Sequence, residues 1–199
     1  MKFLDTKAYQ WLESATDFFL LNILWLLACV PVVTAFPSTA AMFGVVRDWA
    51  RGKEAGVFGA FVLRFRQDFR QSLAVGALWT LFGGALFLDF LIANGLPPGP
   101  QAVMRFLLVL ASILYALASV FLFPVMVHYD TRWTAVPKNA LLLAVGRLPI
   151  TLLCLAMVVA AALTFFVPLL LVATPSVVAY AVYRLCGQEF RKIDETTAR

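Results

Sequence analysis

The residues of this chain that could do chemistry are few and scattered. His128 is the only histidine, with Asp130 two positions on, and a metal ion would need further ligands at suitable spacing that the sequence does not offer. An interfacial hydrogen-bonding role is the expectation for it. Cys29, Cys154 and Cys186 lie in or beside apolar runs without C-x-x-C spacing, so they read as small packing residues. Asp89 is the one acid inside a well-defined apolar run, and Arg105 stands across a short connection from it. An ion pair between the two would pin a hairpin near one membrane face, whereas an ion pathway would want further ionisable groups at mid-depth. Asn22, inside another apolar run, can bond a neighbouring helix for roughly 0.6 kcal/mol. There is no H-E-x-x-H, no phosphate-cradling glycine loop and no Ser-His-Asp set with a second histidine to spare. The expectation is a non-enzymatic protein with no catalytic residue, cofactor or metal.

The elements that would position these groups are membrane helices. Hydrophobic residues make up 62% of the 199 and charged ones 14%, with a mean hydropathy of +0.88, which excludes a water-soluble core. From Phe18 to Val46 run 29 residues without a charge, and Arg47, Arg51 and Lys53 follow directly. About 20 apolar residues cross the ~30 Å hydrocarbon core. Ten-residue alternation of apolar and polar side chains, the mark of a membrane barrel, is missing. The fold class is therefore all-α: a polytopic transmembrane helical bundle of about five spans plus one cytoplasmic amphipathic helix, one integral membrane domain over 1–199. The spans are expected at about 18–36, 72–93, 102–127, 148–166 and 168–184. The last two divide a charge-free stretch of 36 residues, Leu148 to Tyr183, near Pro168, and one span with a broken helix is the alternative. A cleavable leader is not expected, since Asp5, Glu13 and Asp17 precede the first run and the denser positive charge follows it.

Counting Lys and Arg by side orients the bundle. Five spans place the segments after spans one, three and five on one side with thirteen of them, leaving Lys2, Lys7 and Arg105 on the other. By the positive-inside rule this predicts the bacterial cytoplasmic membrane, amino terminus outside and carboxyl terminus inside. The net charge of +5 is topological on this reading, and no nucleic-acid partner is expected.

The most patterned segment is 57–70. At 100° per residue Phe58, Phe61, Val62, Phe65 and Phe69 fall within an arc of roughly 100°, with Arg64, Arg66 and Arg70 outside it. Such a helix can pack on the protein's own spans, lie in the headgroup plane with its arginines toward anionic lipid, or dock on a partner membrane protein. Gly76, Thr80 and Gly84 on the second span, with Ser112, Ala116 and Ser119 on the third, allow close helix packing within the bundle or in a homodimer. A weak echo sets Val30-Pro31, Pro37-Ser38 and Arg47 against Val167-Pro168, Pro175-Ser176 and Arg184, and a re-entrant half-helix over Pro37 to Val46 would follow if it were real.

Leu21-Asn22-Ile23-Leu24-Trp25, Pro31-Val32-Val33-Thr34, Pro37-Ser38-Thr39-Ala40-Ala41 and Phe61-x-x-x-Phe65-x-x-x-Phe69 together resemble the YesL-like family of bacterial integral membrane proteins. Phe36 stands where that family commonly has a glycine. The resemblance implies a small multi-pass protein of undefined biochemical function, from a family whose genes often lie near those for carbohydrate uptake and breakdown. The leading expectation is an accessory or assembly factor associated with carbohydrate uptake, contacting membrane lipid or a membrane transport protein through the 57–70 helix. The alternative is a small-solute transporter lined by Asn22, Thr34, Thr80, Ser112, Tyr115 and Thr151.

Overall fold

A computed structural model describes residues 7–53, 56–95, 97–129, 134–163 and 174–197, with backbone alone for 7–11 and 189–197. The described residues are all-helical, in seven helices: α1 (Lys7–Cys29), α2 (Ala35–Ala50), α3 (Val57–Ala93), α4 (Pro98–His128), α5 (Ala135–Gly146), α6 (Leu148–Leu163) and α7 (Thr174–Thr197). Among them α1, α3 and α4 are long and apolar enough to cross a membrane. A fourth crossing arises if α5 and α6, bent by 109° at Arg147, count as one. That is close to the about five spans expected. The boundary placed near Pro168 lies outside the described residues.

The first span is where the chain departs most from the sequence reading. Instead of running straight through to Phe36, α1 stops before Pro31, which can neither donate to nor continue a helix. The Thr34 hydroxyl then donates to the carbonyls of Ala28 (2.6 Å) and Pro31 (2.7 Å), tying a single 3-10 turn over Val32–Thr34. The chain reverses there. Trp25 Nε1 donates to Thr39 Oγ1 at 3.2 Å, and the rings of Phe18 and Trp49 lie 5.0 Å apart edge-on, so α1 and α2 are antiparallel. The start of α1 and the basic segment after α2 consequently share one end of the bundle. A single crossing between them, the basis for placing the amino terminus opposite the basic segment, is not what the helices make.

At 16 residues α2 is about 24 Å long, too short to cross the hydrocarbon core alone, yet it sits at the centre of the bundle with Ala40, Ala41, Val45 and Val46 fully buried. Small residues bring its neighbours close. A Cβ on Gly44 would press on the Arg64 side chain, and one on Gly76 of α3 would overlap the Phe36 ring.

Amphipathic segment and second span are one helix. No glycine or proline separates Arg70 from Ser72, and Ser72 Oγ returns its hydrogen bond to Asp68 O (2.6 Å), so α3 continues for 37 residues, about 55 Å. Beyond Gly76, where α3 meets Phe36, it extends about 25 Å further alongside α4. Trp79 Nε1 donates to Ser119 Oγ (2.9 Å), and the Tyr115 hydroxyl donates to Trp79 O (3.1 Å) under a stacked ring pair 4.8 Å apart. The expected stripe of Gly76, Thr80 and Gly84 is divided: Gly76 faces α2, the Thr80 hydroxyl donates back to Gly76 O (2.8 Å), and Gly84 faces open space. Asn94 and Gly95 form the tight connection, and α4 restarts at Pro98 because prolines in a first turn remove donors that have no helical partner.

Candidate contact site at the basic end of the bundle

Three of the seven residues proposed for lipid or partner contact, Phe61, Phe65 and Arg64, are committed to the bundle's own packing. Phe61 is only 4% exposed, and Phe65 and Phe69 are half-buried, with rings 6.2 Å (Phe61 to Phe65) and 5.4 Å (Phe65 to Phe69) apart. The stripe therefore covers its own core over most of its length. Arg64 is held by Asp48 of α2: Nε donates to Oδ2 at 2.9 Å and Nη2 donates to Oδ1 at 2.8 Å. This forked geometry matches a guanidinium to a carboxylate. Lys53 adds a contact to Asp48 at 3.5 Å. Phe58, 63% exposed, and the exposed Arg66 and Arg70 remain outward-facing.

Asp48, Arg47, Arg51 and Tyr183 were not foreseen. Asp48 was visible as the lone acid in a basic run, but its partner lies 16 residues away and only the α2–α3 corner brings the two together. Arg47 Nη1 donates to the backbone carbonyl of Val127 at the end of α4, while its Nε is buried with no hydrogen-bond partner. Burial lowers the Arg47 proton affinity below its ordinary value, and the positive charges of Arg64 and Arg51 lower it further. Arg51 and Arg47 stand near the Tyr183 side chain, and the Tyr183 hydroxyl lies 3.2 Å from His128 Nδ1. His128 thus has a hydrogen-bonding place between α4 and α7; Asp130 lies outside the described residues.

The intramembrane polar residues separate into two places. Asn22 is fully buried, and its Oδ1 accepts from the backbone N–H of Ser176 at 2.8 Å, capping the first turn of α7 from another helix. Ser176 Oγ adds a bond to Phe18 O at 3.1 Å. Asp89 and Arg105 do not make the ion pair expected of them. Arg105 Nη2 donates instead to Asn94 Oδ1 (2.7 Å), because the restart at Pro98 aligns the first turns of α4 with the connection itself. Nor do the six residues named for a polar pathway converge. Thr34, Thr80 and Thr151 bond backbone carbonyls close by, Tyr115 bonds Trp79 O across the α3–α4 contact and shares a small pocket with Ser112, and Asn22 caps α7.

Comparison with known proteins decides the family. The Bacillus subtilis (strain 168) protein called "Uncharacterized protein YesL" is 32% identical over 181 residues, covering 88% of this chain and 85% of that one. The chain belongs to the YesL-like family. Two further B. subtilis relatives, "Uncharacterized protein YteU" and "Uncharacterized protein YesV", are 31% identical over 145 residues and 28% identical over 151. They cover 70% and 74% of this chain, and the matches take in 64% and 72% of the relatives. Residues 18–90 match the family described as "Protein of unknown function, DUF624". No solved structure matches the chain. The family match spans α2, the second half of α1 and nearly all of α3, so the Asp48–Arg64 pair and the capping residue Asn22 fall within it.

Proposed function

We propose that this YesL-like protein is a non-enzymatic accessory or assembly factor of the bacterial cytoplasmic membrane, associated with carbohydrate uptake, which contacts a membrane transport protein or the lipid around it through the outer face of the first turns of α3. The observation carrying this reading is the Asp48–Arg64 pair. It fixes the basic helix against α2 while Phe58, Arg66 and Arg70 point outward, a rigid surface with one aromatic side chain and two cations. The tie to carbohydrate uptake rests on the family context alone.

The basic end is assigned to the cytoplasm. With α1 and α2 antiparallel, the start of α1 with Lys7 joins the basic side, a sharper asymmetry than a single first crossing would give. Both termini are then cytoplasmic. Affinity capture from native membranes tests the contact face. The parent chain is expected to hold a transport protein that the Phe58→Ala/Arg66→Ala/Arg70→Ala variant loses, and recovery of the same proteins by both would overturn the reading.

A further inference from the structure

A cleft of about 340 Å³ opens on the flank of the bundle between α2, α4, α6 and α7, walled by Phe43, Phe123, Val158, Pro175 and Val182 among others. Its few polar groups are already bonded within the protein. Trp25 Nε1 donates to Thr39 Oγ1, the Thr39 hydroxyl donates to Ala35 O, and the Ser119 hydroxyl donates to Tyr115 O. A polar solute would lose its hydration there without finding partners, a cost of several kcal/mol per group. Hydrocarbon loses nothing.

The end of the cleft nearest the basic segment is of opposite character. Phe43, Arg47 and Arg51 follow one another at four-residue steps and so lie along one side of α2 and its cap. Phe43 stacks on Phe123 at 5.9 Å, and one turn further along both helices Arg47 reaches Val127 O. Val182 is followed by Tyr183, which stands near Arg51 and bonds His128. The nearby carboxylate, Asp48, already has both oxygens on Arg64 and a contact to Lys53, so two guanidinium charges stand at the mouth of an apolar slot without a carboxylate of their own among the described residues.

A hydrocarbon slot ending in arginines, whose nearby carboxylate is already shared with Arg64 and Lys53, fits an amphiphile with an anionic head. We propose that this cleft is a binding site for an anionic phospholipid, one acyl chain lying between α4 and α7 and the phosphate meeting Arg51 and Arg47. The lipid is drawn from the leaflet at the basic end. This site is separate from the outward face of α3, and none of Phe58, Arg66 or Arg70 lines it.

The full-length protein, purified in mild detergent and exchanged against an equimolar mixture of phosphatidylglycerol and phosphatidylcholine, is assayed by native mass spectrometry for retained lipid. Preferential retention of phosphatidylglycerol is expected, falling about fivefold in Arg51→Gln, the effect of one cation at an anionic headgroup. Ala162→Trp, which fills the apolar wall far from the arginines, is expected to lower retention as well. Val158→Phe serves if circular dichroism shows that variant misfolded. Equal retention of the two lipids, or unchanged retention in both the arginine and the wall variants, would overturn the site. Displacement of the lipid by millimolar inorganic phosphate, together with indifference to the wall variant, would overturn it in favour of an anion site with no acyl component.

Discussion

Replacing Asp48 with Ala is expected to destabilise the protein by about 3 kcal/mol, near the lower end of the range for breaking a buried ion pair by removing one partner. The Asp48 side chain is 10% exposed and that of Arg64 is 16% exposed, so little water replaces the lost carboxylate. The guanidinium left behind also stays beside Arg47, and the two repel each other. The low end of the range applies because Lys53, 59% exposed, contributes only about 0–1 kcal/mol to the cluster. Arg64→Ala removes a cation from a cation-rich corner and leaves Asp48 with Lys53, so its loss is smaller, about 2 kcal/mol. If the two residues act as a pair, the double variant loses less than the single losses combined, by at least about 1 kcal/mol. Unfolding of the detergent-solubilised protein by titrated dodecyl sulfate, followed by far-ultraviolet circular dichroism, measures all three. Strict additivity, or an Asp48→Ala loss under about 0.5 kcal/mol, would refute the claim that this pair holds α3 to α2.

Asn22→Ala uncovers the Ser176 N–H at the start of α7 and is expected to cost about 1–2 kcal/mol in the same assay, with Asn22→Ser recovering part of it. Arg66→Ala and Arg70→Ala leave stability unchanged within about 0.5 kcal/mol, since both side chains face outward, yet each lowers partitioning of the reconstituted 57–70 segment onto anionic vesicles by about fivefold. Gly76→Ala drives a methyl group into the Phe36 ring and is expected to cost about 1–3 kcal/mol by overpacking, read from the thermal midpoint. Single cysteines introduced at Leu12 and Lys53, in a background lacking the native ones, are expected to react alike with an impermeant maleimide in inside-out vesicles and not in intact cells; labelling of only one of them would separate ends that the α1–α2 reversal joins.

The sequence made the α3–α4 hairpin legible because long apolar runs and a Gly/Pro-rich connection are local signals that hydropathy and turn chemistry read directly. The reversal between α1 and α2 was hidden by the same measure. Pro31 lies in an uninterrupted apolar run, and hydropathy is blind to whether a chain that stops being helical there continues or turns back; the Thr34 bonds to Ala28 and Pro31 decide it. Helical spacing identified the Phe61, Phe65 and Phe69 face as one to be covered, without revealing that the bundle's own core takes Phe61 and Phe65. Asp48–Arg64, His128–Tyr183 and Asn22–Ser176 join residues 16, 55 and 154 positions apart, separations at which a single sequence carries no pattern.

The echo between Pro37-Ser38 and Pro175-Ser176 acquires a physical meaning once the helices are in place. Tyr180 lies 5.6 Å from Phe18 and Ser176 bonds Asn22, so α7 runs antiparallel to α1, as α2 does. Two helices thus begin within the apolar body of the bundle and run side by side toward its basic end. A helix starting there exposes backbone donors with no water to receive them. Proline in the first turn deletes one such donor, and both helices carry it. The buried serine that follows raises a second demand, met differently in each: Ser38 donates back to Thr34 O in its own helix, whereas Ser176 donates to Phe18 O and takes its backbone partner from Asn22. Only α7 depends on another helix for its cap. A shared physical requirement accounts for the repeated Pro-Ser without an ancestral duplication, and it makes α1 the element on which the placement of α7, and with it one wall of the apolar cleft, depends.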